Sequence, residues 1–260
     1  MNTAAILLNS TSNRFPTGLG NDSDQVGRNI MDHHLGVGAT ATVEGFLDDY
    51  VYGQRPNALY IPRFRNWGND KQSYLRGFGY QGGASRSGWS RNVAEMNFGA
   101  PMKEALSEPG PWSMGITAFG EILPYHENTI KLSDSVKDKW GMEALVMNAE
   151  IKQNELNMRK DMMADAAEML EIAGFKDVKT YDNGYTFGQG IHEMGTARMG
   201  RDPKTSVLNG NNQVWDAPNV FVTDGAFMTS SSCVNPSLTY MAFTARAVDF
   251  AVSELKKGNL

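Results

Sequence analysis

The residue best suited to acid–base chemistry in this chain is His192, which lies in a glycine-rich segment. The segment is Gly190-Ile191-His192-Glu193-Met194-Gly195-Thr196-Ala197-Arg198-Met199-Gly200. An imidazole titrates near neutral pH, so it can accept a proton from a substrate. Taken alone, His192 is more simply interpreted as a surface or hydrogen-bonded histidine. The three glycines favour the functional interpretation, because they let the backbone approach a flat ligand closely.

A second polar cluster lies further along the chain, at Ser230-Ser231-Ser232-Cys233-Val234-Asn235-Pro236-Ser237-Leu238-Thr239. We predict that Asn235 caps a helix and that Pro236 is its first residue. The N-terminus of a helix carries partial positive charge and free N–H groups. The start of this helix is therefore suited to an anion such as a reduced flavin, whose charge spreads over N1 and the C2 carbonyl.

Other motifs are weaker. The segment Gly77–Gly82 fits G-x-G-x-x-G by letter, but no helix pattern follows it, so we reject a dinucleotide site there. His33 and His34 are adjacent, their side chains diverge, and we predict no metal site. His126 lies in a polar turn. Cys233 is the single cysteine, which excludes an internal disulfide and a cysteine zinc site.

Composition limits the class of protein. The chain has 260 residues, 41% of them hydrophobic and 20% charged, which is typical of a globular protein with a sizeable core. The net charge is −5, and no basic stripe is present, so we expect no nucleic-acid partner. The apolar run Ala4–Leu8 is too short to cross a membrane, and we predict no membrane span in this chain.

The elements that must position these residues follow from periodicity. Residues 2–8 predict a short helix or buried strand, and residues 9–30 predict a loop. Alternating runs between about 36 and 150 predict strands of a mostly antiparallel sheet, with an exposed loop at 82–91.

Residues 152–173 predict a helix that Gly174 ends. Its apolar positions recur at helical spacing, and we interpret its methionines as core filler. These positions are Leu156, Met158, Met162, Met163, Ala166, Met169, Leu170 and Ile172. Residues 219–224 predict a buried strand ending in Asp224, and residues 236–256 predict an amphipathic helix closed by Gly258.

These motifs, in this order, resemble the C-terminal part of the glucose–methanol–choline oxidoreductases. The resemblance rests on His-x-Met-Gly-Thr-x-Arg-Met-Gly from position 192, a strand followed by Asp224-Gly225, and Asn235-Pro-x-Leu-Thr before a terminal helix. Earlier segments also fit the family pattern, among them Val26–His33 and Asp138–Gly141. The resemblance extends over most of the chain.

The resemblance implies roles for particular residues. His192 falls on the catalytic histidine of the family and Asn235 on its partner, which is histidine or asparagine. Asp224 and Gly225 fall on a contact to the phosphate and ribityl region of FAD. Backbone groups of Asn235, Pro236 and Ser237 would face the flavin pyrimidine edge.

The family also implies an architecture and a reaction. We expect an α+β fold with an antiparallel substrate-domain sheet, flanking helices, and the last strand and helix of an incomplete Rossmann-like FAD-binding domain. Residues 1–35 and 186–260 would belong to the FAD-binding domain, and residues 36–185 would form the substrate-binding domain. The expected reaction oxidises a CH–OH group of a sugar or polyol, with hydride transfer to flavin N5 and a possible electron acceptor or partner subunit.

The chain departs from the family at its beginning. Family members carry a dinucleotide-binding half that has no counterpart here, so we expect this chain to be a truncated gene product, the product of a fragmentary gene model, or one piece of a longer enzyme. A non-catalytic remnant is the alternative interpretation. A nicotinamide-linked dehydrogenase is disfavoured, because no G-x-G-x-x-G has the required strand–helix context. Localisation stays open between periplasm and cytoplasm.

Overall fold

The computed structural model describes residues 1–49, 58–86, 98–107 and 110–260. The elements follow in the order α1 (Asn2–Asn9), β1 (His33–Val43), β2 (Leu59–Ile61), β3 (Phe78–Arg86), α2 (Ala100–Ser107), β4 (Trp112–Glu121), β5 (Thr129–Lys137), β6 (Glu143–Asn148), α3 (Gln153–Ile172), β7 (Lys176–Asp182), β8 (Gln213–Val214), β9 (Ala217–Phe221) and α4 (Ser237–Lys256). A 3-10 turn at Gly225–Phe227 precedes α4. The predicted α+β class with an antiparallel sheet is confirmed.

The chain divides into two compact units. The first comprises Met1–His34, Gly120–Glu155 and Thr186–Leu260. The second comprises Leu35–Phe119 and Leu156–Tyr185. The assignment of flavin and substrate domains to stretches of the chain stays a prediction.

Five strands form the main sheet, in the order β2-β3-β4-β1-β7. The β2–β3 and β1–β7 pairs are antiparallel, with Leu59 opposite Gly82 and Val37 opposite Asp182. The loop predicted at 82–91 is wrong for 82–86, which belong to β3, whereas 87–91 lie outside the described residues. A side chain at Gly82 would overlap the carbonyl oxygen of Gly115, so this glycine serves close strand packing rather than a loop.

Helix α3 confirms the predicted helix over 152–173. Met158, Met162 and Ala166 are fully buried among the sheet side chains of the second unit, as expected for methionine as core filler. Leu156 and Ile172 recur at the predicted helical spacing but are exposed. Both lie near the ends of the helix, where the apolar stripe no longer meets the core.

Glycines close both long helices as predicted. Gly174 has φ +85° just after α3, and Gly258 has φ +77° just after α4. This left-handed conformation costs glycine little and lets the amide of Phe175 bond back to the carbonyl of Leu170 at 3.1 Å.

The first unit has its own core and two small antiparallel pairs, β5–β6 and β8–β9. One cluster of buried apolar residues forms this core: Leu7, Val26, Ala197, Val207, Leu208, Val214, Ala217, Val222, Ala226 and Phe227. Residues 2–8 are helical, within α1. The strand predicted over 219–224 is shorter and shifted: β9 spans Ala217–Phe221, and its residues after Ala217 are not fully buried.

Helix α4 presents apolar side chains to the outside of the first unit. They recur at alternating spacings of three and four residues, which places them on one stripe of the helix. We call this set the α4 stripe: Leu238, Met241, Ala245, Val248, Val252 and Leu255, all exposed. Within the part of the chain that the structure describes, no helix is both long enough and apolar enough to cross a membrane.

Candidate active site

His192 lies in a loop whose neighbouring residues are fixed by backbone pairing. Two residues further on, Met194 exchanges both backbone hydrogen bonds with Met31, at 2.9 and 3.0 Å. The amide of Gly27 donates to the carbonyl of Thr196 at 2.7 Å. Residues 27–33 therefore run beside residues 192–196, and this pairing brings Asp32 and His33 next to His192.

The same loop is bonded to the 3-10 turn that follows Asp224. The amides of Gly195, Ala197 and Met199 donate to the carbonyls of Gly225, Ala226 and Phe227, at 3.1, 2.8 and 2.9 Å respectively. The loop thus has backbone partners on both sides, and residues 194–197 are buried.

His33 is the main site residue that the sequence analysis missed. Its ring meets the His192 ring edge-on, with 4.9 Å between ring centroids. Its side chain is only 1% exposed. Neither His33 nitrogen has a well-aligned hydrogen bond to the described residues, although the backbone of Ser232 and Val234 lies close enough to act on it, and Nδ1 of His192 has no partner among them. The rejection of His33 with His34 as a pair left the contact that exists in space, His33 with His192, unrecognised.

Burial determines the charge of His33. Desolvation lowers the pKa of its imidazole, and the neighbouring His192 lowers this pKa further. Asp32 and the carbonyls of Ser232 and Val234 act in the opposite direction and are outweighed. His33 is consequently neutral near pH 7.

The His33 ring also relates the two predicted motifs to each other. The carbonyls of Ser232 and Val234 approach it from the loop that leads to Asn235, while His192 contacts it from the other loop. Asn235 follows directly and is exposed. Both sequence clusters therefore reach a single buried imidazole.

The start of α4 differs by one residue from the prediction. Pro236 occupies the N-cap position without a side-chain hydrogen bond to the helix, and Ser237 is the first helical residue. The predicted cap by Asn235 is wrong by one residue, because the first hydrogen bond of the helix runs from the amide of Tyr240 to the carbonyl of Pro236 at 3.0 Å. Asn235 and Ser237 are both exposed beside the helix N-terminus.

The loop before Asn235 is held at its beginning by a side-chain hydrogen bond. The hydroxyl of Ser230 donates a hydrogen bond to Glu121, a carboxylate at the end of β4 that is buried. Ser231 and Cys233 are also buried. The loop becomes exposed only at Val234 and Asn235, immediately before α4.

Asp224 and Gly225 form a tight turn rather than the end of a strand. The Asp224 carboxylate accepts from the amide of Ala226 at 3.0 Å and from the hydroxyl of Thr3. A side chain at Gly225 would lie 2.7 Å from the Tyr240 hydroxyl. Burial, with smaller contributions from Asp224, Glu193 and Asp32, raises the pKa of Tyr240 to about 12.

A surface cavity of about 280 Å³ reaches Asp224 between α1 and β9. Thr3 and Leu7 line it on one side, and Val220 and Val222 line it on the other. Among the described residues, no group of three or more His, Cys, Asp or Glu side chains could hold a metal ion.

The sequence relationships fit this geometry. A sequence model of the GMC oxidoreductase family matches residues 124–244. The chain is 32% identical over 257 residues to 2-methyl-1,2-propanediol dehydrogenase from Mycolicibacterium austroafricanum, covering 95% of this chain and 45% of that protein. This chain belongs to the GMC oxidoreductases. It matches their C-terminal region, as the residue pattern predicted.

Other relatives of this GMC chain act on sugar-like compounds, according to their names. The chain is 28% identical to the fructose dehydrogenase large subunit from Gluconobacter japonicus, over 98% of this chain and 46% of that protein. It is 29% identical to paromamine 6'-oxidase from Streptomyces fradiae, over 97% and 44% respectively. The GMC chain spans about half the length of these curated relatives.

Among solved structures, the GMC chain is similar to pyridoxine 4-oxidase from Mesorbium loti. The TM-score is 0.42 and the identity 17%, over 91% of this chain and 45% of that one.

Proposed function

We propose that this chain supplies the catalytic residues of an FAD-dependent oxidoreductase that oxidises a CH–OH group of a small alcohol, sugar or polyol. Family membership and the diol- and sugar-directed names of the relatives support this proposal. The observation that carries it is the arrangement of His192: a buried, neutral His33 contacts its ring, and the loop that ends in Asn235 reaches the same His33.

In this proposal, His192 accepts the hydroxyl proton of the substrate. His192 is half-buried, so part of its ring is accessible to a ligand. The neighbouring His33 stays neutral, so no fixed positive charge on that ring opposes the arrival of a proton on His192.

Asn235 is the proposed orienting residue. Its side-chain amide can donate to and accept from the same substrate oxygen, and it lies on an exposed stretch of its loop. Holding the hydroxyl group in one orientation also fixes the direction of the adjacent C–H bond, which lowers the entropic part of the barrier.

The residues proposed to hold FAD fit an anionic, planar ligand. Asp224 is an exposed carboxylate that would accept hydrogen bonds from the ribityl hydroxyls, and Gly225 lets Tyr240 pack against the turn that presents it. The backbone of Asn235, Pro236 and Ser237 lies at the N-terminus of the 20-residue helix α4, where partial positive charge is expected. The flavin ring, when bound, supplies the hydride acceptor.

The proposed division of labour follows the sequence analysis. Residues 1–35 and 186–260 would contribute to the flavin domain, and residues 36–185 would form the substrate domain. Further polypeptide of the kind present in the longer relatives would supply the remaining contacts to FAD. An electron acceptor or a partner subunit would then reoxidise the flavin.

Stopped-flow reduction of the FAD-loaded enzyme by its alcohol substrate tests the proposal. We expect His192→Ala to slow flavin reduction by about 10²- to 10⁴-fold, because the proton acceptor is lost. Asn235→Ala should slow it less while leaving flavin content unchanged. His126→Ala, in an exposed turn, is the matched histidine control.

Unchanged reduction rates in both site variants would exclude the assigned roles. A purified chain that stays colourless after incubation with FAD and the N-terminal region of a longer relative, and shows no flavin bands near their usual positions, would favour the non-catalytic remnant.

A further inference from the structure

We infer that Asp32 is a positioning residue for His192: its buried carboxylate holds the backbone of residues 188–192 and thereby sets where the His192 ring lies. Oδ1 accepts from the amides of His33 at 2.8 Å and His192 at 3.2 Å. Oδ2 accepts from the amides of Gly190 at 3.0 Å and Gly188 at 3.3 Å. One side chain therefore contacts the backbone of both histidines in the pair.

The carboxylate is fully enclosed. Asp32 is 0% exposed, so its charge depends on these N–H groups for stabilisation. Hydrogen bonds to an ionised acceptor are stronger than those between neutral groups, and several of them converge here. Removing the charge would leave the loop amides with a weaker partner and no water to replace it.

The loop has a shape that needs this restraint. Ile191 has φ +54°, a conformation that is unfavourable for a β-branched residue, and its side chain is 78% exposed. The residues on either side of it, Gly190 and His192, both donate to Asp32. These two bonds span the strained residue and hold it in place, which orients His192 directly after it.

Gly190 shows how close the carboxylate lies. A side chain there would overlap Oδ1 of Asp32 and come within 2.5 Å of the carbonyl oxygen of His33. Only glycine lets the loop backbone lie against the Asp32 carboxylate. The glycine noticed in the sequence as a place for a flat ligand is, in the structure, the contact point for an internal anion.

We call the hydrogen bonds that the Asp32 carboxylate accepts from residues 188–192 the tether. The tether does not depend on the proposed function, whereas its effect on catalysis rests on that function through His192. The experiment therefore needs one readout that requires no flavin. The chain has four histidines, so ring signals of selectively labelled histidine can be assigned with single substitutions.

The first arm compares Asp32→Asn with Asp138→Asn by NMR. Asp138 is a fair control because its carboxylate also accepts two loop amides, from Trp140 at 2.8 Å and Met142 at 3.0 Å, in the β5–β6 turn. We expect Asp32→Asn to shift the ring signals of His192 and His33 and to leave that of His126 in place. Amide exchange at Gly190 and His192 should accelerate about 10- to 100-fold. Asp138→Asn should change neither.

Unaltered His192 signals and exchange rates in a folded Asp32→Asn protein would overturn the inference. If that variant does not fold, exchange in the unsubstituted chain decides the matter: the Gly190 and His192 amides must be protected although they lie outside any helix or strand. Unprotected exchange of both amides would show that Asp32 does not hold this loop.

The second arm measures flavin reduction in the FAD-loaded Asp32→Asn enzyme. A misplaced proton acceptor should lower the limiting rate by about 100-fold with an unchanged flavin content. If His192→Ala and Asp32→Asn both leave this rate unchanged while the ring signals shift, the proposed function fails and the tether stands. If only Asp32→Asn leaves the rate unchanged, the positioning role fails.

Discussion

The loop around His192 and the segment around Asn235 belong to the same compact unit but are held in different ways. The first is bonded to residues 27–33 on one side and to the 225–227 turn on the other, with a buried carboxylate beneath it. The second is fixed at Ser230 and then becomes exposed at Asn235, where α4 and its apolar stripe begin. The position of His192 is thus determined within the unit, whereas Asn235 lies on an exposed stretch of its loop.

This difference predicts unequal tolerance to change. Gly195 in the His192 loop has φ +93°, and a side chain there would lie 2.5 Å from the carbonyl oxygen of Asn29. Gly258 after α4 has φ +77°, with open space around it. We expect Gly195→Ala to lower the free energy of unfolding by about 3 kcal/mol, from strain and overlap together.

Gly258→Ala is the matched variant, since it adds the same strain without the overlap. Its expected cost is about 1 kcal/mol. Urea unfolding of both variants measures the two values. Equal losses would mean that the His192 loop is no more tightly enclosed than the end of α4.

A smaller effect on stability is expected at His33, the residue that both segments approach. Because burial lowers the pKa of His33, the folded chain binds fewer protons there than the unfolded chain. Stability should therefore fall as pH is lowered from about 6.5 towards the depressed pKa, by at most about 1.4 kcal/mol per pH unit. His33→Gln should remove this contribution.

The measurement is the free energy of unfolding between pH 7 and pH 5. His126→Gln, which alters an exposed histidine, serves as the control and should retain the unsubstituted slope. A slope that is the same in His33→Gln as in the original chain would place the titrating group elsewhere.

The smallest effect on stability is expected for substitutions on the α4 stripe. Met241 and Val248 lie on the α4 stripe and are 66% and 53% exposed. Replacing both with Gln should change the free energy of unfolding by less than about 0.5 kcal/mol. The same double variant should reduce self-association, because the contiguous apolar surface is interrupted.

Sedimentation velocity of the isolated chain over a range of concentrations measures this association. Asp249→Asn, on the same helix but outside the stripe, is the control. If the double variant still self-associates, the surface responsible for association lies elsewhere than on α4.

Sequence predicted the features that depend on local pattern. The period of the apolar residues gave α3 and α4 close to their observed bounds, and glycines marked where both helices end. The apolar pattern predicted the structure less well where a side chain forms a hydrogen bond to the nearby backbone. Asp224 caps a 3-10 turn instead of ending a strand, because its carboxylate bonds the amide two residues on.

The arrangement around His192 could not be predicted in the same way. Asp32 and His33 are distant from His192 along the chain, and only the pairing of Met31 with Met194 brings them together. A signal was present in the sequence: an acid and a histidine directly follow the apolar pair Ile30-Met31. Without the long-range pairing, adjacency suggested that His33 should be compared with His34.

The α4 stripe also has a consequence for the solubility of the chain. A contiguous row of exposed apolar side chains is either a contact surface for another protein or an aggregation liability. The concentration at which this polypeptide stays dispersed would then depend less on the stability of its two cores than on whether another surface covers α4.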